Sequence, residues 1–150
     1  MRIHSLIPTL LLILASQSAQ ASAGHAGALG KPGDPAKVDR TIEIAVSDDM
    51  RFTPDTVRVK RGQTVHFRVV NGAGMKHEMV LGTLAELKKH AALMRKFPEM
   101  EHDDPNAVSV EPGQTGNLVW RFTRSGDFDF ACLVPGHFEA GMRGKIRVRP

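Results

Sequence analysis

An all-β sandwich carrying one inserted α-helix is the fold class that this 150-residue sequence predicts, and three observations predict it. Apolar residues recur at every second position in short runs. Those runs are divided by the turn sequences RGQ, EPGQ and RSGD, and a single stretch breaks the alternation with helical spacing. Alternation of this kind describes strands with one dry face, and the dry faces of two sheets bury each other most simply by closing into a sandwich.

Taken in order, residues 1 to 23 have the layout of a cleaved export signal: a basic start at Arg2, an apolar run from Leu6 to Ala15, and small residues at Ala19, Ala21 and Ala23. That run is about ten residues, half of the roughly 20 that a membrane helix needs, so no membrane anchor is expected. Residues 24 to 37, GHAGALGKPGDPAK, lack periodicity and are rich in Gly, Ala and Pro, which predicts a flexible leader. The domain proper is expected over 38 to 150. Its strands are marked by Ile42, Ile44 and Val46, then by Val65, Phe67 and Val69, and by the apolar segment that follows His77. After the helix come Val108 and Val110, then Leu118, Trp120 and Phe122, then Phe128, Phe130 and Cys132, and lastly Ile146 and Val148. The helix is predicted from Thr83 to Phe97, with Thr83 and Glu86 as a capping box and Pro98 as its stop. The acidic EMEHDDPN that follows reads as a solvated loop.

Composition narrows the function. The formal net charge is +4, and no cluster of Lys and Arg is dense enough for a nucleic-acid footprint. Arg58, Lys60 and Arg61, with the basic residues of RGKIRVRP from Arg143, read as a solvated strand face that secondarily suits an acidic partner. An exported chain usually spends its cysteines in pairs, yet this one has a single cysteine, Cys132. A lone thiol of this kind is either a small buried hydrophobe or a group that something occupies.

The surrounding segment, FACLVPGHFEAGMRG from Phe130 to Gly144, favours occupation. Alternation with Phe128 and Phe130 turns the Cys132 sulfur toward the core at a strand end. His137 and Met142 follow in steps of five, which fit one face of neither a helix nor a strand, so only a curled loop brings the three together. Gly136, Gly141 and Gly144 permit the curl, and Pro135 stiffens it. Thiolate, imidazole and thioether are soft donors that suit copper better than magnesium, calcium or manganese, and zinc gives no reason for the methionine. Two histidines and a cysteine in a plane, with a weak axial methionine, form an electron-transfer copper pattern, so a second histidine is required. His25, His66, His77, His90 and His102 are the candidates. His77 is preferred because VVNGAGMKHEMVLG places it between a glycine-rich turn and a new strand; the others read as surface or leader residues. Met75 and Met79, which flank His77, read as rim or core filler.

With His77, Cys132, His137 and Met142 in place, the segment from about Val38 to Val148 resembles the cupredoxins, the small blue-copper Greek-key β-sandwiches. The helix and the wording HEMVLG and PGHFEAGMRGKIRV resemble most the periplasmic copper-tolerance members of proteobacteria. The resemblance implies one type 1 copper ion held by those four residues and one-electron transfer without catalysis. It also implies a periplasmic monomer and a redox partner such as a c-type cytochrome or a terminal oxidase or reductase. That partner would dock on an apolar patch around His137 to which Phe138 and Ala140 belong. One departure stands out, because many members follow the first histidine with Asn or Ser, which steadies the cysteine loop. Here that place is Glu78, a carboxylate able to alter colour and potential, and Asn71 is an alternative support. Two rival functions remain: copper buffering or delivery in copper resistance, which would use the same ligands, and a cysteine hydrolase built on Cys132. The hydrolase is disfavoured by the lack of an orienting partner for a histidine base.

Overall fold

The computed structural model describes residues 27–100 and 103–150. The expected signal sequence 1 to 23, His25 and His102 lie outside the described residues. Among the described residues, ten strands make two five-stranded sheets. The first sheet holds β1 (Gly30–Pro32), β2 (Arg40–Ser47), β3 (Arg51–Thr53), β5 (Thr64–Asn71) and β8 (Thr115–Phe122), ordered β1-β8-β5-β2-β3. The second holds β4 (Thr56–Lys60), β6 (His77–Gly82), β7 (Ala107–Val110), β9 (Gly126–Ala131) and β10 (Arg143–Arg149), ordered β4-β10-β9-β6-β7. Chain neighbours are therefore split between layers. β2 lies parallel to β5, β4 lies parallel to β10, and the remaining pairings are antiparallel.

The alternating residues meet where expected. Ile42, Ile44, Val46, Val65, Phe67 and Val69 from one sheet and Phe128, Phe130, Cys132, Ile146 and Val148 from the other share a single dry core with Leu118, Trp120 and Phe122. Removing that apolar area from water is the main stabilising term. Phe52 and Phe130 cross the gap edge to face, with centroids 5.0 Å apart. Outside the core, Arg58, Lys60, Lys145 and Arg147 are exposed, and Lys145 and Arg149 pair with Asp129 and Asp127 at 2.6 and 2.8 Å.

β6 breaks the alternation because all six of its residues are buried. The cause is α1 (Leu84–Lys96), which lies over the outer face of β6 and β9. A second apolar cluster there joins Val80 and Ala131 of the sheet, Leu87, Ala91 and Met94 of the helix, and Leu133 and Phe138. The helix begins as its sequence requires. Glu86 N–H donates to Thr83 Oγ1 at 3.3 Å, and Thr83 N–H donates back to Glu86 Oε2 at 2.8 Å. Phe97 ends it, immediately before Pro98.

The leader expected to be flexible is ordered from Gly27 onward. Leu29 is fully buried in the core, β1 pairs antiparallel with β8, and Gly33 N–H donates to Val119 O at 2.9 Å. Asp34 then caps a short 3-10 turn, Pro35–Lys37, by accepting from Ala36 N–H. One buried apolar side chain and a short strand pairing hold a stretch whose composition otherwise reads as linker.

Candidate metal centre

The second sheet and its β9–β10 loop bring three donors to one rim. His77 opens β6, Cys132 directly follows β9, and the loop back to β10 carries His137 and Met142. Cys132 Sγ lies 3.3 Å from His137 Nδ1 and 3.9 Å from His77 Nδ1, and the donor atoms of the three residues all fall within 4.8 Å of one another. The imidazole centroids are 4.9 Å apart. All three side chains are buried, His137 being the most exposed at 8%. An ion about 2.3 Å from sulfur and about 2.0 Å from nitrogen, with roughly 120° between the bonds, separates sulfur from nitrogen by about 3.7 Å. The observed spacings bracket that value, so the donor set fits one copper ion in type 1 coordination.

The loop holds this arrangement through its own backbone. Met142, also buried, donates its N–H to His137 O at 3.0 Å, and Cys132 N–H donates to Met142 O at 3.1 Å, so the ends of the loop close on each other with Met142 beside both donors. Between them His137 N–H reaches Val134 O, Ala140 N–H reaches Gly136 O and Gly141 N–H reaches Phe138 O. Gly136 and Gly141 have φ of 90° and 91°, a region that side chains disfavour, and each reverses the chain once. The curl expected from the spacing is therefore two successive turns.

Neighbouring elements grip the loop from both sides. Arg51 Nη1 donates to Ala140 O at 3.1 Å and to Met50 O at 2.8 Å, and Arg95 of α1 pairs with Glu139. Phe138 sits in the helix-covered cluster at 8% exposure, with the Arg143 guanidinium 5.0 Å from its ring centroid. Phe138 is therefore not part of an exposed apolar patch, as the resemblance implied; Ala140 is exposed. Arg51 and Glu139 carried no signal in the sequence, because each acts across a distance along the chain that only folding closes.

The remaining candidates fall elsewhere. His66 is on the outer face of β5, with Nε2 2.8 Å from Asn117 Oδ1, and His90 is half-buried on α1. Met79 is a core residue and Met75 is 42% exposed. Asn71 does not hold the cysteine loop. It steadies the turn before His77, donating to Met75 O and Val110 O at 2.8 and 2.9 Å and accepting from Ala73 N–H. Glu78 is the residue that reaches the cysteine loop: its carboxylate Oε1 accepts from Leu133 N–H at 2.9 Å, and its own N–H points at Cys132 Sγ at 3.4 Å.

Burial sets the protonation of the centre. It pushes the Cys132 thiol up to about 12, against the N–H groups of Glu78 and Val134 that favour the thiolate. Burial likewise lowers His77, aided by the neighbouring His137 and opposed by Asp48, and it lowers His137. Both imidazoles thus stay neutral at ordinary pH with lone pairs available. Without metal, the thiol keeps its proton.

A closed β-sandwich that buries two neutral imidazoles and a thiol at one rim, with a methionine beside them, defines a mononuclear copper-binding protein of the cupredoxin class. The model of copper-binding proteins of the plastocyanin/azurin family matches residues 38–149, and the chain belongs to that family. It is 50% identical to the copper-resistant cuproprotein CopI of Rubrivivax gelatinosus, over 99% of this chain and 100% of that one. With the copper-resistant cuproprotein CopI of Pseudomonas aeruginosa the identity is 36% over 97% of each. Among solved structures, auracyanin B, a protein of Chloroflexus aurantiacus, superposes with a TM-score of 0.68 at 21% identity, covering 81% of this chain and 96% of that one.

Proposed function

We propose that the protein is a type 1 copper carrier that passes single electrons between redox partners outside the cytoplasm. Its ligands are His77 Nδ1, Cys132 Sγ and His137 Nδ1, with Met142 as the weak fourth. The observation that carries this reading is the convergence of three buried donors within 4.8 Å of one another. Bound copper supplies the one-electron couple. The chain's own part is to keep the donors from moving as the charge changes, and two sheets, a doubly turned loop and a helix buttress suit that task.

In this reading the export signal takes the chain to the periplasm, and it works there as a monomer without a membrane anchor. Its partner, a c-type cytochrome or a terminal oxidase or reductase, meets the rim near His137, where Met75, Pro135, Gly136 and Ala140 are exposed. The test is the visible absorption and EPR spectrum of the Cu(II)-loaded protein beside Cys132→Ser. An intense charge-transfer band lost in the variant is expected; a colourless wild type refutes the assignment.

A second reading, copper buffering or delivery in copper resistance, is favoured by the names of the relatives, which call those proteins copper-resistant. Deletion separates the two. Loss of copper tolerance with intact respiration supports handling, whereas a respiratory defect at ordinary copper supports electron transfer.

A further inference from the structure

The turn between β2 and β3, Ser47 to Arg51, belongs to the sheet that carries none of the proposed ligands, yet it bonds to both segments that position them. On one side, Gly72 N–H donates to Val46 O at 3.0 Å and Gly74 N–H donates to Asp48 Oδ1 at 2.9 Å, which ties down the turn leading to His77. On the other, Arg51 Nη1 donates to Ala140 O at 3.1 Å, inside the loop that carries His137 and Met142. The turn is itself firmly held. Ser47 Oγ donates to Asp49 Oδ1 at 2.6 Å, Met50 N–H donates to Ser47 O at 3.2 Å, and Met50 takes a φ of 60°, a left-handed conformation that side chains seldom adopt. Met50 packs against the core, which keeps it there, and its carbonyl accepts a second bond from Arg51 Nη1 at 2.8 Å.

We infer that this turn is a clasp between the two ligand-bearing segments, in which Arg51 is a positioning residue that fixes the Ala140–Gly141 peptide and through it the approach of Met142 to the copper. That peptide is held at both ends, because Gly141 N–H donates to Phe138 O at 3.1 Å while Ala140 O accepts from Arg51. Gly141, at φ 91°, is the residue with the freest backbone in this part of the loop, and it directly precedes Met142. A Cβ on Gly141 would stand 3.7 Å from Arg51 Nη1, so the guanidinium also lies in contact with this glycine. Without Arg51 the peptide keeps one tether of two, and water can satisfy the exposed carbonyl without fixing its direction. Overall stability then changes little, whereas the placing of Met142 loses its tie to the first sheet. β3 is the edge of that sheet opposite β1, so the clasp acts on the centre independently of the Leu29 end.

The inference rests on the copper reading for its redox readout and is free of it for the other. In the metal-free protein, Arg51→Met, which keeps the stem and loses the donors, is expected to speed hydrogen exchange of the Gly141 and Met142 amides about tenfold, the effect of losing one hydrogen bond from a charged donor. Amides of β5 and β8 should keep their wild-type rates, since a general loss of stability would speed them as well. In the copper form the same variant is expected to shift the reduction potential, which the axial ligand tunes. Arg51→Lys, whose ammonium can serve both carbonyls from one nitrogen as Nη1 does, should recover most of both changes. Wild-type loop exchange in Arg51→Met overturns the proposal, and a potential shift beside it would mean that the charge alone acts. A rise spread equally over β5 and β8, or a Lys variant as perturbed as Met, overturns it too. A colourless wild type would remove the copper reading while leaving the exchange results to stand or fall separately.

Discussion

At the scale of single residues the centre is a balance between burial and bonding. Its thiol is protonated and its imidazoles neutral at pH 7.5, so Cu(II) must displace about one proton per ion, from Cys132. Titration in weakly buffered solution should record that proton. It should be absent in Cys132→Ser; a release near two would mean that a histidine starts charged. The same burial links stability to pH. A thiol that ionises near 9.0 when unfolded and near 12 when folded favours the unfolded chain as pH rises past 9.0. Its contribution is fully present below that value and fades toward 12, by about 1.4 kcal/mol per unit. Denaturant unfolding of the metal-free protein should therefore weaken between pH 9 and 10, and Cys132→Ala should flatten that decline. Equal slopes would show that the thiol is not desolvated.

Between residues and the whole lies the element, where α1 and the loop act as one unit. The helix was legible because Thr83, Glu86 and Pro98 punctuate it chemically, and its apolar residues recur at helical spacing. Its purpose was not. Helical spacing says that Leu87, Ala91 and Met94 face something, but not that they face Leu133 and Phe138 of the metal loop. For the same reason the resemblance put Phe138 in a docking patch, whereas its neighbours in space are those of the helix-covered cluster. Phe138→Ala should cost about 3 kcal/mol as a core truncation and should speed copper release to a chelator, because the loop loses its anchor. Unchanged stability with slower reaction toward a redox partner would restore the exposed-patch reading. Among the strands, alternation revealed those with one wet face. β6 read as a continuous apolar segment rather than an alternating strand because the helix dries its second face, and β3, only three residues long, gave no run to read. β4 does alternate through Val57 and Val59, but its Arg58 and Lys60 drew the reading toward surface charge.

Over the whole molecule, three of the four expected ligands were legible from the loop alone, since a thiol, an imidazole and a thioether at such spacing have few other uses. The fourth, His77, followed from the need for a second imidazole at a strand end. What composition could not supply was the extent of the fold. The family match begins at residue 38, yet the first sheet begins at Gly30. Leu29 is the reason: it is fully buried against the core, and β1 covers the free edge of β8. An uncovered edge strand exposes unpaired N–H and C=O groups to other chains. The segment therefore belongs to the stability of the sandwich while lying in the sheet that carries none of the proposed ligands. Leu29→Ala should lower unfolding free energy by about 2–5 kcal/mol, and a chain starting at Val38 should lose at least as much and aggregate more readily. Both should still develop the wild-type charge-transfer bands when loaded below their melting temperatures, because His77, Cys132, His137 and Met142 are held by the second sheet and its loop. A spectrum altered by Leu29→Ala would instead show that the two sheets transmit strain to the centre, and that the metal site is a property of the closed sandwich rather than of one layer.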